Sequence, residues 1–173
     1  MTATPACTAT FSRVDGTMSA AFERRFDHPA AEVWRALTDP ALLPQWLAPG
    51  EIELRLGGKV KLDFKDSGIA IDSTVTSFVE GRLLEYAWGG SGDPPRPVRW
   101  ILEPDGDGCR LTLRITVPAD EDVGRSAAGW EAHLEMLAAT LEGVSIHFPF
   151  ELFKAARDTY RARLAAADFA PQA

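Results

Sequence analysis

Hydrophobic and polar positions along the chain change period three times, from 2 to 3.6, back to 2, and to 3.6 again, and each change marks a set of elements. Residues 8–14 and 18–26 read as two extended runs about Asp15-Gly16, a strong short-range hairpin signal. His28-Pro29 stops the second run. Residues 30–38 then place Val33, Trp34 and Leu37 on one helical face, with Pro29 at the first turn. Asp39 followed by Pro40 opens a second short helix, in which Leu42, Leu43, Trp46 and Leu47 recur at i, i+1, i+4 and i+5.

From Glu51 the period returns to 2, as in strands with one buried face. Ile52, Leu54 and Leu56 alternate with charge. After Gly57-Gly58, Val60, Leu62 and Phe64 alternate with Lys59, Lys61, Asp63 and Lys65. Residues 69–79 are rich in Thr, Ser and β-branched side chains. Leu84, Tyr86 and Trp88 line one side of the next strand, Val98, Trp100 and Leu102 one side of the strand after the Gly/Pro loop at 89–97. Leu111, Leu113, Ile115 and Val117 form the cleanest alternation of all. Beyond the acidic loop at 120–122 a long helix runs to about Glu142, with Trp130, Leu134, Leu137 and Leu141 on one stripe. Gly143 stops it, and Pro149 opens a further helix whose stripe is Phe153, Ala156, Tyr160 and Leu164.

This order predicts an α+β helix-grip layout: a curved antiparallel sheet wrapped around a long C-terminal helix, with two short helices after the first long strand. Residues 1–9 are expected to be a flexible tail, 10–142 the domain, and 143–173 an extension whose amphipathic helix packs on it. The space between sheet and helix can be a filled core or a cavity.

Composition narrows the function classes. The chain has 173 residues, 46% of them hydrophobic, and five Trp, enough for one core. Its 25 acidic and 18 basic side chains leave a net charge of −7, so the basic footprint needed for nucleic acid is missing. The most apolar stretch, 130–141, is interrupted by Glu131, His133 and Glu135, which argues against a membrane span. Residues 1–10 lack the basic start and apolar run of a secretion signal, so the expected location is cytoplasmic. Cys7 and Cys109 have no ligand-like spacing to each other or to His28, His133 and His147. No metal site, disulfide or cofactor is expected, and no hydrolase, P-loop or dinucleotide motif is present.

Several motifs in order carry a resemblance. Phe22-Glu23-Arg24-Arg25-Phe26, His28-Pro29, Val33-Trp34, Leu37-Thr38-Asp39-Pro40 and Trp46 are followed by Gly57-Gly58, Tyr86-Ala87-Trp88 and Gly129-Trp130-Glu131-Ala132-His133-Leu134. Over about residues 10–142 the chain resembles the bacterial branch of the SRPBCC (START-like, Bet v 1-like) superfamily, and more narrowly proteins similar to the C-terminal domain of the activator of the Hsp90 ATPase. The resemblance implies a helix-grip fold with an internal hydrophobic cavity. It leaves activity open, because such folds host lipid carriers, hormone receptors and aromatic cyclases alike.

The expected ligand-binding residues are Phe64, Tyr86, Trp88, Trp100, Trp130, His133, Leu134 and Leu137, large apolar groups with a few polar atoms to orient a ring or acyl chain. His133 flanks the apolar stripe; inside a cavity it would be a general base or a hydrogen-bond donor to a ligand. Ser73 and Ser77 share a strand face with Ile71, Val75 and Val79 and would be polar points there, unless a bulge switches the face. Trp34 and Trp46, on the small helices, are expected in the core, with Trp46 near the cavity mouth as the alternative. His28 and His147 read as structural. No catalytic residue is assigned. The leading reading is a non-catalytic binder of a small hydrophobic or aromatic molecule, monomeric or homodimeric. The alternatives are a module that stimulates an Hsp90-type chaperone ATPase and a cyclase- or dehydratase-like enzyme using His133.

Overall fold

A computed structural model describes residues 7–65, 67–90 and 92–167. Its elements follow the predicted order. The hairpin is β1 (Thr10–Val14) and β2 (Thr17–Phe26), followed by α1 (Ala30–Thr38) and the single-turn α2 (Leu43–Trp46). Six strands succeed them: β3 (Gly50–Ile52), β4 (Lys59–Phe64), β5 (Ile69–Val79), β6 (Leu83–Ala87), β7 (Pro97–Asp105) and β8 (Gly108–Pro118). Two helices, α3 (Val123–Leu141) and α4 (Phe150–Ala166), complete the chain.

All eight strands form one antiparallel sheet in the order β1-β2-β8-β7-β6-β5-β4-β3. The sheet curves around α3, so the fold is the helix grip. The β1–β2 hairpin joins the other strands through the pairing of β2 with β8, with Phe22 opposite Leu113 and Met18 opposite Val117. The alternation works as expected: Leu111, Leu113, Ile115 and Val117 on β8 and Val98, Trp100 and Leu102 on β7 are all buried. Asp122 caps α3 by accepting a hydrogen bond from the Arg125 main-chain N–H at 3.1 Å. Gly143, at φ 77°, releases the chain beyond it. α4 then folds back along α3, burying Ala156 and Tyr160. Among the described residues no helix is long and apolar enough to cross a membrane.

Three local expectations change. The strand beginning at Ile52 does not continue to Leu56: the main chain curls, with the Arg55 N–H donating to Glu53 O and the Gly58 N–H to Arg55 O. Leu54 and Leu56 are consequently exposed. Gly58 is needed at that curl, because a Cβ there would lie 2.2 Å from Glu53 O. On β5, a register shift between Val75 and Ser77 switches the face. Val79 is turned out to solvent, and Phe78 packs toward Trp34 at a ring separation of 6.0 Å. Within the expected N-terminal tail, residues 1–6 lie outside the described residues, but Cys7 and Ala9 are buried. The Ala9 N–H donates to the Tyr160 hydroxyl on α4 at 3.1 Å.

Candidate functional site

The interior is divided. Most of it is filled: Trp46 and Trp100 meet edge to face at 5.7 Å, and the Trp46 indole N–H donates to Ala36 O at 2.7 Å. Trp46 is therefore core, not a cavity mouth. Tyr86, Trp100, Leu134 and Leu137 belong to the same packed region. Burial raises the Tyr86 phenol well above its ordinary range, and the Trp100 indole N–H contact at 3.4 Å offsets only part of that.

At one end of the grip the sheet and α3 part, leaving a cleft of about 900 Å³. Its floor comes from strand ends: Phe64 at the end of β4, Trp88 just past β6, Val98 near the start of β7, and Ile115 and Val117 near the end of β8. α3 supplies Ser126, Gly129, Trp130, His133 and Met136, which recur at helical spacing on one face. The exit of α2 contributes Leu47 and Ala48. The last wall comes from the segment leading into α4, through Phe148, Phe150 and Phe153.

Rings dominate this space. Trp88 and Trp130 lie 4.8 Å apart, Phe64 and Trp88 5.6 Å, and Trp130 and His133 5.7 Å. Phe148 extends the series, 5.4 Å from His133, 4.9 Å from Phe150 and 5.8 Å from Phe153. Phe150, 66% exposed, and Ile69, 52% exposed, mark the open side.

Polar groups sit around the rim. Arg96 grips Glu121 through two of its nitrogens, at 2.9 and 2.6 Å, and this bond holds the Glu121 carboxyl below the usual carboxylate range. Asp63, Lys65 and Arg125 also reach the wall. His133 is the polar group among the inner rings. Its Nδ1 lies 2.9 Å from the Trp46 main-chain oxygen, and burial pushes the imidazole below its ordinary range, a shift the Trp46 bond partly opposes.

Of the eight residues expected to bind a ligand, the cleft thus brings together Phe64, Trp88, Trp130 and His133. Tyr86, Trp100, Leu134 and Leu137 stand in the closed core behind it. Ser73, expected as a polar point, instead donates to Ala87 O on the neighbouring strand at 2.7 Å. Neither Ser73 nor Ser77 is in the cleft wall. The partner of His133 Nδ1 is a main-chain carbonyl and not a carboxylate. Sequence reasoning missed Gly129, Met136 and the three Phe of the α4 entry. Gly129 had a signal: a glycine inside a helix costs about 1 kcal/mol relative to alanine, and here it faces open space.

Residues 27–142 match the family described as Activator of Hsp90 ATPase homolog 1-like protein. The chain belongs to this family. The match spans everything from the end of β2 to the end of α3, and so includes most of the cleft but not its α4 wall. No curated protein matches the chain. Among solved structures, a protein of Bordetella parapertussis encoded by BPP1335 is 31% identical, with 94% of this chain and 93% of that one covered and a TM-score of 0.70. EF2215 of Enterococcus faecalis, a conserved protein of unknown function, is 21% identical over 95% and 94% of the two chains with a TM-score of 0.80. CalU16 of Micromonospora echinospora is 23% identical over 90% and 97%, with a TM-score of 0.73. The fold shared with these structures therefore extends over nearly the whole chain.

Proposed function

We propose that the protein binds one small, flat, largely apolar molecule in the cleft between the sheet ends and α3, without transforming it. The observation that carries this reading is a space of about 900 Å³ walled by Phe64, Trp88, Trp130, Phe148 and Phe153. Small-molecule sites typically have volumes of roughly 300–1,000 Å³, with apolar walls and a few placed polar groups. Gly129 supports the same reading. Nothing lies within 4 Å of a Cβ added there, so a larger side chain would fit without repacking. A helix that keeps glycine beside open space forgoes both helix propensity and apolar burial.

The test fills that space. Wild-type protein should bind an anilinonaphthalene sulfonate probe with one-to-one stoichiometry, quenching tryptophan fluorescence through Trp88 and Trp130. Gly129→Phe should weaken the probe at least about tenfold, the loss of roughly 1.4 kcal/mol of contact, while keeping the thermal midpoint. Gly129→Ala should retain binding and raise stability by up to about 1 kcal/mol. Absence of probe binding to the wild type, or unchanged binding to Gly129→Phe, would overturn the reading.

A further inference from the structure

His133 gives the cleft a chemical polarity. A carbonyl oxygen accepts hydrogen bonds and donates none, so the contact between Nδ1 and the Trp46 oxygen places the imidazole proton on Nδ1. Burial holds the ring in its neutral form near neutral pH. A neutral imidazole has one N–H, which leaves Nε2 as a bare lone pair. No hydrogen bond reaches Nε2 among the described residues, and the surrounding faces are the rings of Phe64, Trp130 and Phe148. The ring forms part of the cleft wall. The polar atom that His133 offers to an occupant is therefore an acceptor, so of the two roles read from the sequence, general base or hydrogen-bond donor, this tautomer removes the donor.

We infer that the cleft takes a planar aromatic molecule carrying a neutral hydroxyl, a phenol or enol, whose O–H donates to Nε2 of His133. This inference rests on the cleft being a binding site. An acceptor surrounded by apolar groups is costly to leave unmade, so a ligand that supplies the donor gains over one of the same shape that cannot. An ether or ketone brings only lone pairs to that position and meets the Nε2 lone pair head on. A hydroxyl is favoured over a ring N–H because it is the stronger donor and makes the shorter bond. The residue acts by positioning and selecting. No proton leaves the ligand in this scheme, and no bond is made or broken.

The test compares β-naphthol with its methyl ether by equilibrium dialysis against the full chain at neutral pH. The two share one flat body and differ in the donor. Wild-type protein should prefer the naphthol by about three- to tenfold, the range expected for one neutral hydrogen bond. His133→Asn keeps an amide N–H for the Trp46 carbonyl but has no acceptor at the Nε2 position. His133→Leu removes both groups. In each variant the preference should vanish while the ether still binds, and circular dichroism with a thermal melt establishes that the variant is folded. Should the leucine variant fail to fold, the asparagine variant carries the comparison. Equal affinities in the wild type would overturn the donor requirement and leave the cleft reading standing. Binding of neither probe would overturn both. A preference that survives in His133→Asn would overturn the assignment to His133.

Discussion

Glu131 is the buried carboxylate among the described residues, and its two partners show what sequence neighbourhood hides. It lies beside Trp130 on α3, yet it faces away from the cleft, ion-paired to Arg24 on β2 and accepting the Tyr160 hydroxyl from α4. Burial and this carboxylate together push the Tyr160 phenol well above its ordinary range, so it stays protonated and keeps donating. Arg24→Met should strand a buried charge and cost about 3–5 kcal/mol in urea denaturation, whereas the double change Arg24→Met with Glu131→Leu should recover most of that loss. A fully additive double variant would show that the pair is not coupled. His28 provides a second test at this scale. Its ring bonds Glu142 at 2.9 Å and Glu32 at 3.1 Å, and these bonds raise its pKa in the folded chain. The folded state then holds the His28 proton more tightly than the unfolded state, so this contribution is full below the unfolded imidazole value and is lost as pH rises through the folded one. His28→Gln should flatten that decline in melts taken from mildly acidic to mildly alkaline pH. An unchanged slope would refute it.

At the scale of elements, periodicity was a reliable guide wherever one face was buried along its whole length. The β8 alternation, the α3 stripe and the short helix around Trp34 stand as their patterns predict, whereas the helix around Trp46 is a single turn with Leu42, not Asp39, at its N-cap. It misled where local hydrogen bonding overrode the pattern, at the curl that exposes Leu54 and Leu56 and at the bulge that turns Val79 outward and Phe78 inward. The candidate site was half legible for a related reason. Alternation tells which side of a strand faces α3, but not where along the strand the sheet departs from the helix. Tyr86 pairs with Val98 and Val75 in the middle of the sheet and is core; Trp88, two residues on and past the end of β6, reaches the cleft. Phe148 and Phe150 were invisible because the first precedes α4 and the second is its first residue, off the stripe of Phe153, Ala156, Tyr160 and Leu164. Their placement predicts that Phe148→Ala combined with Phe153→Ala weakens probe binding by about five- to a hundredfold, since each of the two ring contacts is worth roughly 0.5–1.5 kcal/mol beyond area. The far-ultraviolet spectrum should not change. Undiminished binding would remove the α4 entry from the site.

Over the whole molecule, α4 is more than an appendage to the domain expected over 10–142. It closes the cleft at one end through Phe153 and, two to three turns further on, holds the residues before β1 through Tyr160 and through Arg163, which donates to the Cys7 carbonyl. Gly124 on α3 leaves room for this, with Arg161 and Leu164 packed where a Cβ would sit at 3.2 and 3.3 Å. Sheet, α3 and α4 should consequently unfold together. Scanning calorimetry of the full chain is expected to give one transition whose calorimetric and van't Hoff enthalpies agree, and a separate early melting of α4 would refute this.

The same connectivity governs when the chain can fold. The β1–β2 hairpin is made before the other strands, but its route into the sheet is β8, which ends at Pro118, and the Ala9 anchor waits for Tyr160, 151 residues later. A two-stranded hairpin is marginal in water by itself, and pairing that closes long loops is slow. The growing polypeptide therefore carries an unsheltered strand edge, with Met18, Ala20 and Phe22 lacking the partners they have in the fold, until β8 has been made. Commitment to the native topology comes after most of the chain has been made, and for that interval a nascent-chain chaperone has an exposed apolar edge to hold.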